Sequence, residues 1–265
     1  MELIQLSGLA NQIICQAANL YSSFIYIVRD KKKYRRFISK NSELKNKYDG
    51  ETCYVIGNGP SLKKIDLSVL VGKHVMTVNK AIMTPIFEQL KPEFHCVIDK
   101  YILDDTVTAI QDKVKQGTCE TRFILHRSGI GRIDNKDNVY FVYNRKFPVK
   151  DKINIELTGN ATTFYNVLPF AASCAMYMGF KRIVLLGNDF SFFAARKDQH
   201  FYDIEQNVER KETLYSDLMG CAIVLLQYRA LNKYCQKHNV EIVNATEGSL
   251  LDEIKQVNFE DYLDK

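Results

Sequence analysis

The stretch "CYVIGNGPSLKKIDLSVL" (53–70) breaks an apolar run at Gly57 and sets Asn58, Gly59, Pro60 and Ser61 before an amphipathic segment. Glycines directly after a strand let the backbone pass close to a ligand, and open N–H groups at the next helix start favour anions. The same residues suit a plain turn, with Ser61 or Asp66 as a cap and Pro60 in a first helical turn. The pattern is neither a Walker motif, which needs a GK[ST] ending, nor GxGxxG. A second group, Gly159, Asn160, Thr162 and Thr163, places small amide and hydroxyl groups ahead of a long apolar run. It fits a sugar or ribose contact, or ordinary capping. A third, "NDFSFFAARKDQHFYD" (188–203), carries Asn188, Asp189, His200 and Tyr202. A histidine among polar and aromatic residues suits a general base titrating near neutrality. Its segment, about 188–213, is of the kind that forms lids.

Elements must position these groups. From Thr52 onward, short β-branched runs alternate with amphipathic segments. Strands are predicted at 53–57, 74–79, 94–99, 122–126, 139–143, 182–187 and 240–245, and helices at 102–115, 162–178 and 214–237. That alternation implies crossover connections and a doubly wound, mainly parallel α/β sheet of Rossmann-like type. Residues 1–48 read as an N-terminal helical arm, and 49–265 as the domain that carries the site. In open parallel sheets, ligands bind beyond the carboxyl ends of the strands. Those ends hold Gly57 to Ser61, Asn79-Lys80, Asp99-Lys100, His126-Arg127 and Gly187-Asn188-Asp189. Polar groups therefore collect on one rim.

A hydrophobic share of 46% with 25% charged residues excludes a disordered chain. The net charge of +5 is uneven, with a dense basic block, "RDKKKYRRFISKNSELKNK", at 29–47. It fits a solvated helix face or attraction to an anionic surface. The block follows "LYSSFIYIV" (20–28), so residues 20–47 are a candidate for peripheral membrane contact, although packing on the domain is the preferred reading. Seven cysteines form no CxxC pair and several lie in apolar runs, as reduced core residues of a cytoplasmic protein would. No secretory leader is expected, and no run of about 18 apolar residues suggests a spanning helix.

The motifs "VIGNGPSLKKIDLSVL", "TVNKA", "VID", "MGFKRIVLLGNDF", His200 and "VEIVNATEGSLLDEI" resemble the bacterial sialyltransferases of glycosyltransferase family 42 and their MptE-like relatives in surface-polysaccharide gene clusters. The resemblance spans Thr52 to Ile254 and leaves the arm outside it. It implies a GT-A-like variant of the Rossmann sheet that binds a nucleotide sugar, preferably CMP-linked and of the sialic or nonulosonic acid type. It further implies a glycan or lipid-linked acceptor in bacterial capsule or lipopolysaccharide assembly; a cytoplasmic place, compatible with peripheral attachment at the inner face of the cell membrane, is expected. Nucleic acid is not an implied partner, and a homo-oligomer is compatible with the resemblance.

Residue by residue, the resemblance gives Asn58 to the donor phosphate or ribose, Asn79 to the nucleotide, and Thr162 or Thr163 to the cytidine side. His200 would take the acceptor proton in an inverting transfer that needs no metal cofactor. Two departures stand out. The sialyltransferases place a lid tyrosine soon after the equivalent of Asp189, where this chain has Ser191, Phe192 and Phe193, with no tyrosine before Tyr202. They also have asparagine where Asp99 stands, whereas the MptE-like group has aspartate. Asp99 and Asp189 could hold Mg²⁺ near a diphosphate, which keeps open a Mg²⁺-dependent diphosphokinase or other nucleotide-phosphate transferase.

Overall fold

In a computed structural model, which describes residues 2–149, 152–191, 193–194 and 213–263, the apolar runs become strands of one sheet. They are β1 (Thr52–Ile56), β2 (Val75–Val78), β3 (Phe94–Val97), β4 (Arg122–His126), β5 (Val139–Lys146), β6 (Asn160–Thr162), β7 (Arg182–Leu186), β8 (Glu241–Asn244) and β9 (Lys255–Gln256). Their order is β6-β5-β4-β3-β2-β1-β7-β8-β9, and each of these neighbouring strand pairs is parallel. The chain steps outward from β1 to β6, then returns past β1 to begin β7. The direction of winding therefore reverses between β1 and β7, the point where such sheets open a crevice at the strands' carboxyl ends.

Both faces of the sheet are covered, which is why its strands are apolar at successive positions rather than alternately. Cys53 and Val55 face one layer with Met76, Val78 and Leu185, while Tyr54 and Ile56 face the other with Val184 and Leu186. Helix α5 (Val167–Met178) fills the first layer, and all its residues from Leu168 to Met178 are buried. A helix this apolar on every side needs cover all round. It receives it from the sheet and from α6 (Leu214–Lys237). The Asn166 side chain starts α5 by accepting the Leu168 N–H at 2.9 Å, and Gly179 ends it at φ +101°. The helix expected from 162 thus begins at Val167, because residues 160–162 join the sheet as β6. Pro169 falls in the first turn, where no helical hydrogen bond is lost.

The other layer holds α3 (Pro85–Leu90), α4 (Lys100–Gln116), two short 3-10 turns at Pro60–Lys64 and Leu67–Leu70, and the side chains of Phe259 and Tyr262. Leu103, Ile110 and Val114 repeat at helical spacing along α4 and bury against Phe123, Leu125 and Phe141.

Ahead of β1, helix α1 (Glu2–Ile25), a π-helical turn (Tyr26–Asp30) and α2 (Lys31–Ile38) run on as one rod. Its contacts run down the β5–β6 edge of the sheet, antiparallel to the strands. The Asn19 amide donates to the Phe147 carbonyl, Asn160 donates to the Ser22 hydroxyl, Tyr143 donates to Asp30, and Phe37 meets Phe141 edge-on. The Arg29 guanidinium bonded to Asp30 holds that buried carboxyl down at about 2, helped by the Tyr143 hydroxyl. Lys31, Lys32, Lys33, Arg35 and Arg36 are exposed. None of the described helices is long and apolar enough to cross a membrane.

Candidate functional site

The loops that follow β1 and β7 lock together at the winding reversal. The Gly57 N–H donates to the Leu186 carbonyl at 2.7 Å, and the Gly59 N–H donates to the Gly187 carbonyl at 2.9 Å. A Cβ on Gly57 would collide with the Gly187 carbonyl, and one on Gly59 with the Asp189 carboxylate. The glycines are thus required for loop-to-loop packing before any ligand arrives. Ser61 completes the lock, donating its N–H to Asp189 Oδ1 at 3.0 Å and its hydroxyl to Oδ2 at 2.8 Å.

Beside this lock lies a cavity of about 520 Å³, within the range of small-molecule sites. Gly57, Asn58 and Gly59 form its β1 side, Asn79 its β2 side and Asp99 its β3 side. Asn188 and Asp189 close the β7 side, and Thr163 to Leu168 cover it from above α5. The rim expected from strand ends is thus one cavity for β1, β2, β3 and β7. His126, at the end of β4, is not among its lining residues. His126 Nδ1 lies 2.9 Å from the Ser128 hydroxyl, and burial, with the nearby Arg127 charge, pushes its pKa down to about 4.

Two lining side chains are incompletely used. Asn58 Oδ1 and Asn79 Oδ1 are buried, yet neither finds a hydrogen-bond partner among the described residues. Buried acceptors in native proteins are nearly always paired, and an orphan points to a missing donor. Asn79 also sits at φ 54°, as does Phe190, a buried lining residue. Left-handed backbone at non-glycine residues costs free energy and clusters at functional sites.

Other lining groups are engaged within the fold. Asp99 caps α4 by accepting the N–H groups of Tyr101 and Ile102 at 2.7 and 3.1 Å. Asn188 donates its amide to the Tyr228 hydroxyl at 3.0 Å, fastening the loop to α6. Of the second sequence group only Thr163 reaches the cavity. Thr162 accepts the Asn154 N–H, Asn160 accepts the Arg145 N–H and donates to Ser22, and Gly159 stands in the loop before β6. His200 and Tyr202 lie outside the described residues, as does most of the 188–213 segment.

Sequence reasoning passed over Tyr101 and Tyr165, which line the cavity while 77% and 73% exposed. They stand at its mouth as aromatic surfaces a base or sugar ring can cover. Their signal was positional: each lies at the start of a helix whose N-terminus faces the cavity. Two helix starts, α4 and α5, converge there and favour negative charge.

Among the described lining residues the only cation is Lys100, paired with Asp104 at 3.0 Å, set against the carboxylates of Asp99 and Asp189. No three His, Cys, Asp or Glu side chains among the described residues converge as metal ligands. Both Asp189 oxygens already accept from Ser61, and one Asp99 oxygen serves α4. A cation could therefore gain at most the remaining lone pairs of these two carboxylates, with the rest of its shell from water and a bound phosphate.

The sequence model of the family described as "6-hydroxymethylpterin diphosphokinase MptE-like" matches residues 28–194, well over half of the chain. The chain belongs to the MptE-like family. Among curated proteins, no sequence match is found. Among solved structures, this MptE-like chain is similar to the sialyltransferase CstII from Campylobacter jejuni, a structure in complex with a substrate analogue, cytidine-5'-monophosphate. The two share 16% identity at a TM-score of 0.50, over 79% of this chain and 85% of that one. A second structure, the sialyltransferase CST-II with trisaccharide acceptor and CMP, gives 15% identity and a TM-score of 0.47, over 77% and 85%. The first of these likenesses, at this identity, establishes a shared fold.

Proposed function

We propose that this MptE-like protein is a glycosyltransferase. It transfers a sugar of the sialic or nonulosonic acid type from a CMP-activated donor to a glycan or lipid-linked acceptor, in capsule or lipopolysaccharide assembly. The observation that carries the proposal is the pair of unpartnered buried oxygens on Asn58 and Asn79, beside the crevice at the winding reversal. Acceptors in want of donors match ribose hydroxyls or the cytosine amine. Phosphate, which offers no N–H, falls instead toward the start of α5, because the first N–H groups of α4 are already taken by the Asp99 carboxylate. The described lining sets a single lysine, Lys100, against the Asp99 and Asp189 carboxylates, too little positive charge to hold a chain of several phosphates. A triphosphate would demand a denser cationic clamp.

In this reaction His200 takes the proton from the acceptor hydroxyl as that oxygen attacks the anomeric carbon in line. CMP leaves from the opposite face with the bonding electrons, and the configuration inverts. The role of His200 rests on the sequence resemblance. Release of CMP from a CMP-linked sialic acid, followed with an acceptor panel, tests the proposal. Turnover should persist in EDTA. His200→Ala should lower it by about 10²–10⁴-fold while CMP binding is retained.

The family match favours a second reading, a Mg²⁺-dependent diphosphokinase, in which Asp99 and Asp189 would hold the cation against a diphosphate. Bound Mg²⁺ would neutralise charge developing on the transferred phosphoryl group. Activity abolished by EDTA and by Asp99→Asn would replace the first reading with this one.

A further inference from the structure

The first part of the rod ahead of β1, α1 and the π-helical turn, is built with its polarity reversed. Its hydrogen-bonding side chains face the protein: Asn19 bonds Phe147, Ser22 accepts from Asn160 and Asp30 accepts from Tyr143. A set of its large apolar side chains faces out. Ile13, Ile14, Leu20, Tyr21 and Phe24 are each 58–75% exposed. At 100° per residue they share one arc of about 120°, opposite Asn19 and Ser22. Ile27 and Val28, 66% and 68% exposed, lengthen the stripe into the π-helical turn. Isolated exposed apolar residues are ordinary, whereas a contiguous stripe marks an interaction surface.

Charge identifies the occupant. From Leu3 to Val28 the sequence contains no Asp, Glu, Lys or Arg, and Arg29 to Arg36 then supplies six basic residues against the single acid Asp30, itself bonded to Arg29. Lys31, Lys32, Lys33, Arg35 and Arg36 are all exposed beside the end of the stripe. Water-soluble helix pairs flank an apolar seam with charges of both signs. Here no such charges flank it, and the basic turn would repel its own copy. An apolar helical face continued by a basic cluster complements an anionic bilayer: the apolar residues enter the acyl boundary and the cations meet headgroup phosphates.

We propose that the α1–α2 rod is an interfacial membrane anchor, docking the protein on anionic lipid with Leu20, Tyr21, Phe24, Ile27 and Val28 inserted and Lys31 to Arg36 against the headgroups. Because Asn19 lies against Phe147, just past the carboxyl end of β5, α1 reaches the same rim of the sheet on which the cavity opens. The anchor stands independently of the chemistry proposed for that cavity.

Flotation of the full chain with vesicles tests it directly. The protein should float with phosphatidylcholine vesicles containing phosphatidylglycerol, and about tenfold less with phosphatidylcholine alone or in high salt. Combined Leu20→Gln, Phe24→Gln and Ile27→Gln should cut binding to anionic vesicles by about tenfold or more. These side chains are exposed, so a matching circular dichroism melt verifies the fold of the variant. Combined Lys31→Gln, Lys32→Gln and Lys33→Gln should act in the same direction. Wild-type protein that stays in the aqueous fraction, or that floats equally on neutral vesicles, overturns the proposal. So does a concentration-dependent dimer that ignores vesicles and is split by the three apolar substitutions, which would assign the stripe to a second copy.

Discussion

Ser61 and Asp189, 128 positions apart in sequence, are joined by two hydrogen bonds, the Ser61 N–H to Oδ1 and its hydroxyl to Oδ2. They clamp the loop after β1 to the loop after β7, and so set the wall of the cavity before any ligand enters. Hydrogen bonds to an ionised partner contribute more than neutral ones. Ser61→Ala should therefore lower the unfolding free energy by about 1–3 kcal/mol. Asp189→Asn should cost a similar amount, with the double variant losing little more than the worse single one. Urea denaturation of the four proteins checks this.

Glycine requirement separates two sites that look alike in the sequence. A Cβ at Gly57 meets the Gly187 carbonyl, which is backbone and cannot swing aside, whereas one at Gly159 would lie 3.9 Å from its nearest neighbour, the Glu156 carbonyl. Gly57→Ala should destabilise by about 3 kcal/mol or more, and Gly159→Ala by within about 0.5 kcal/mol. Thermal melts of the purified variants distinguish the two.

The amino ends of the strands carry a pH-sensitive staple. His74 bonds Glu93 through Nδ1 and Glu51 through Nε2, and Glu93 also receives the Tyr48 hydroxyl and the Arg122 guanidinium. Burial pulls the His74 pKa down, but the two carboxylates together outweigh it and leave it raised. A raised folded-state value means that the contribution is complete below the ordinary histidine value of about 6.5 and is lost as pH climbs through the higher folded value. Wild-type stability should thus fall across that window, and only modestly because the pair is partly solvated. His74→Gln should flatten the slope in urea titrations at several pH values.

The parallel sheet and its polar rim were legible because both depend on local pattern. β-branched runs such as "RIVLL" alternate with amphipathic segments, and polar residues follow each run. The winding reversal made Asn58 and Asn79 neighbours of one cavity, as strand-end reasoning anticipates. What stayed hidden was long-range. The need for glycine at 57 and 59 comes from a loop more than a hundred residues away. β6 and β9, three and two residues long, are too short and polar to announce themselves. Asn160 and Thr162 looked like sugar contacts because amides and hydroxyls serve a sheet edge as readily as a ligand. Helix α1 hid its orientation because Asn19 and Ser22 face the protein while Leu20, Tyr21 and Phe24 face out, the reverse of the usual amphipathic rule.

If the orphaned oxygens await a ligand, removing them should spare the fold and abolish binding. Asn58→Ala is the direct variant. Asn79→Gly complements it, since glycine keeps the left-handed backbone while deleting the side chain. Both should melt within about 1 kcal/mol of wild type, because no hydrogen bond made by those oxygens among the described residues is lost.

Calorimetric titration of CMP into the wild-type protein, Asn58→Ala and Asn79→Gly decides the matter most directly. The expected result is one CMP per wild-type chain, with affinity weakened by about tenfold or more in each variant, as loss of a buried hydrogen-bond partner predicts. Absence of CMP binding to wild type, or equal affinity in all three proteins, would contradict a nucleotide site at the β1–β7 crevice.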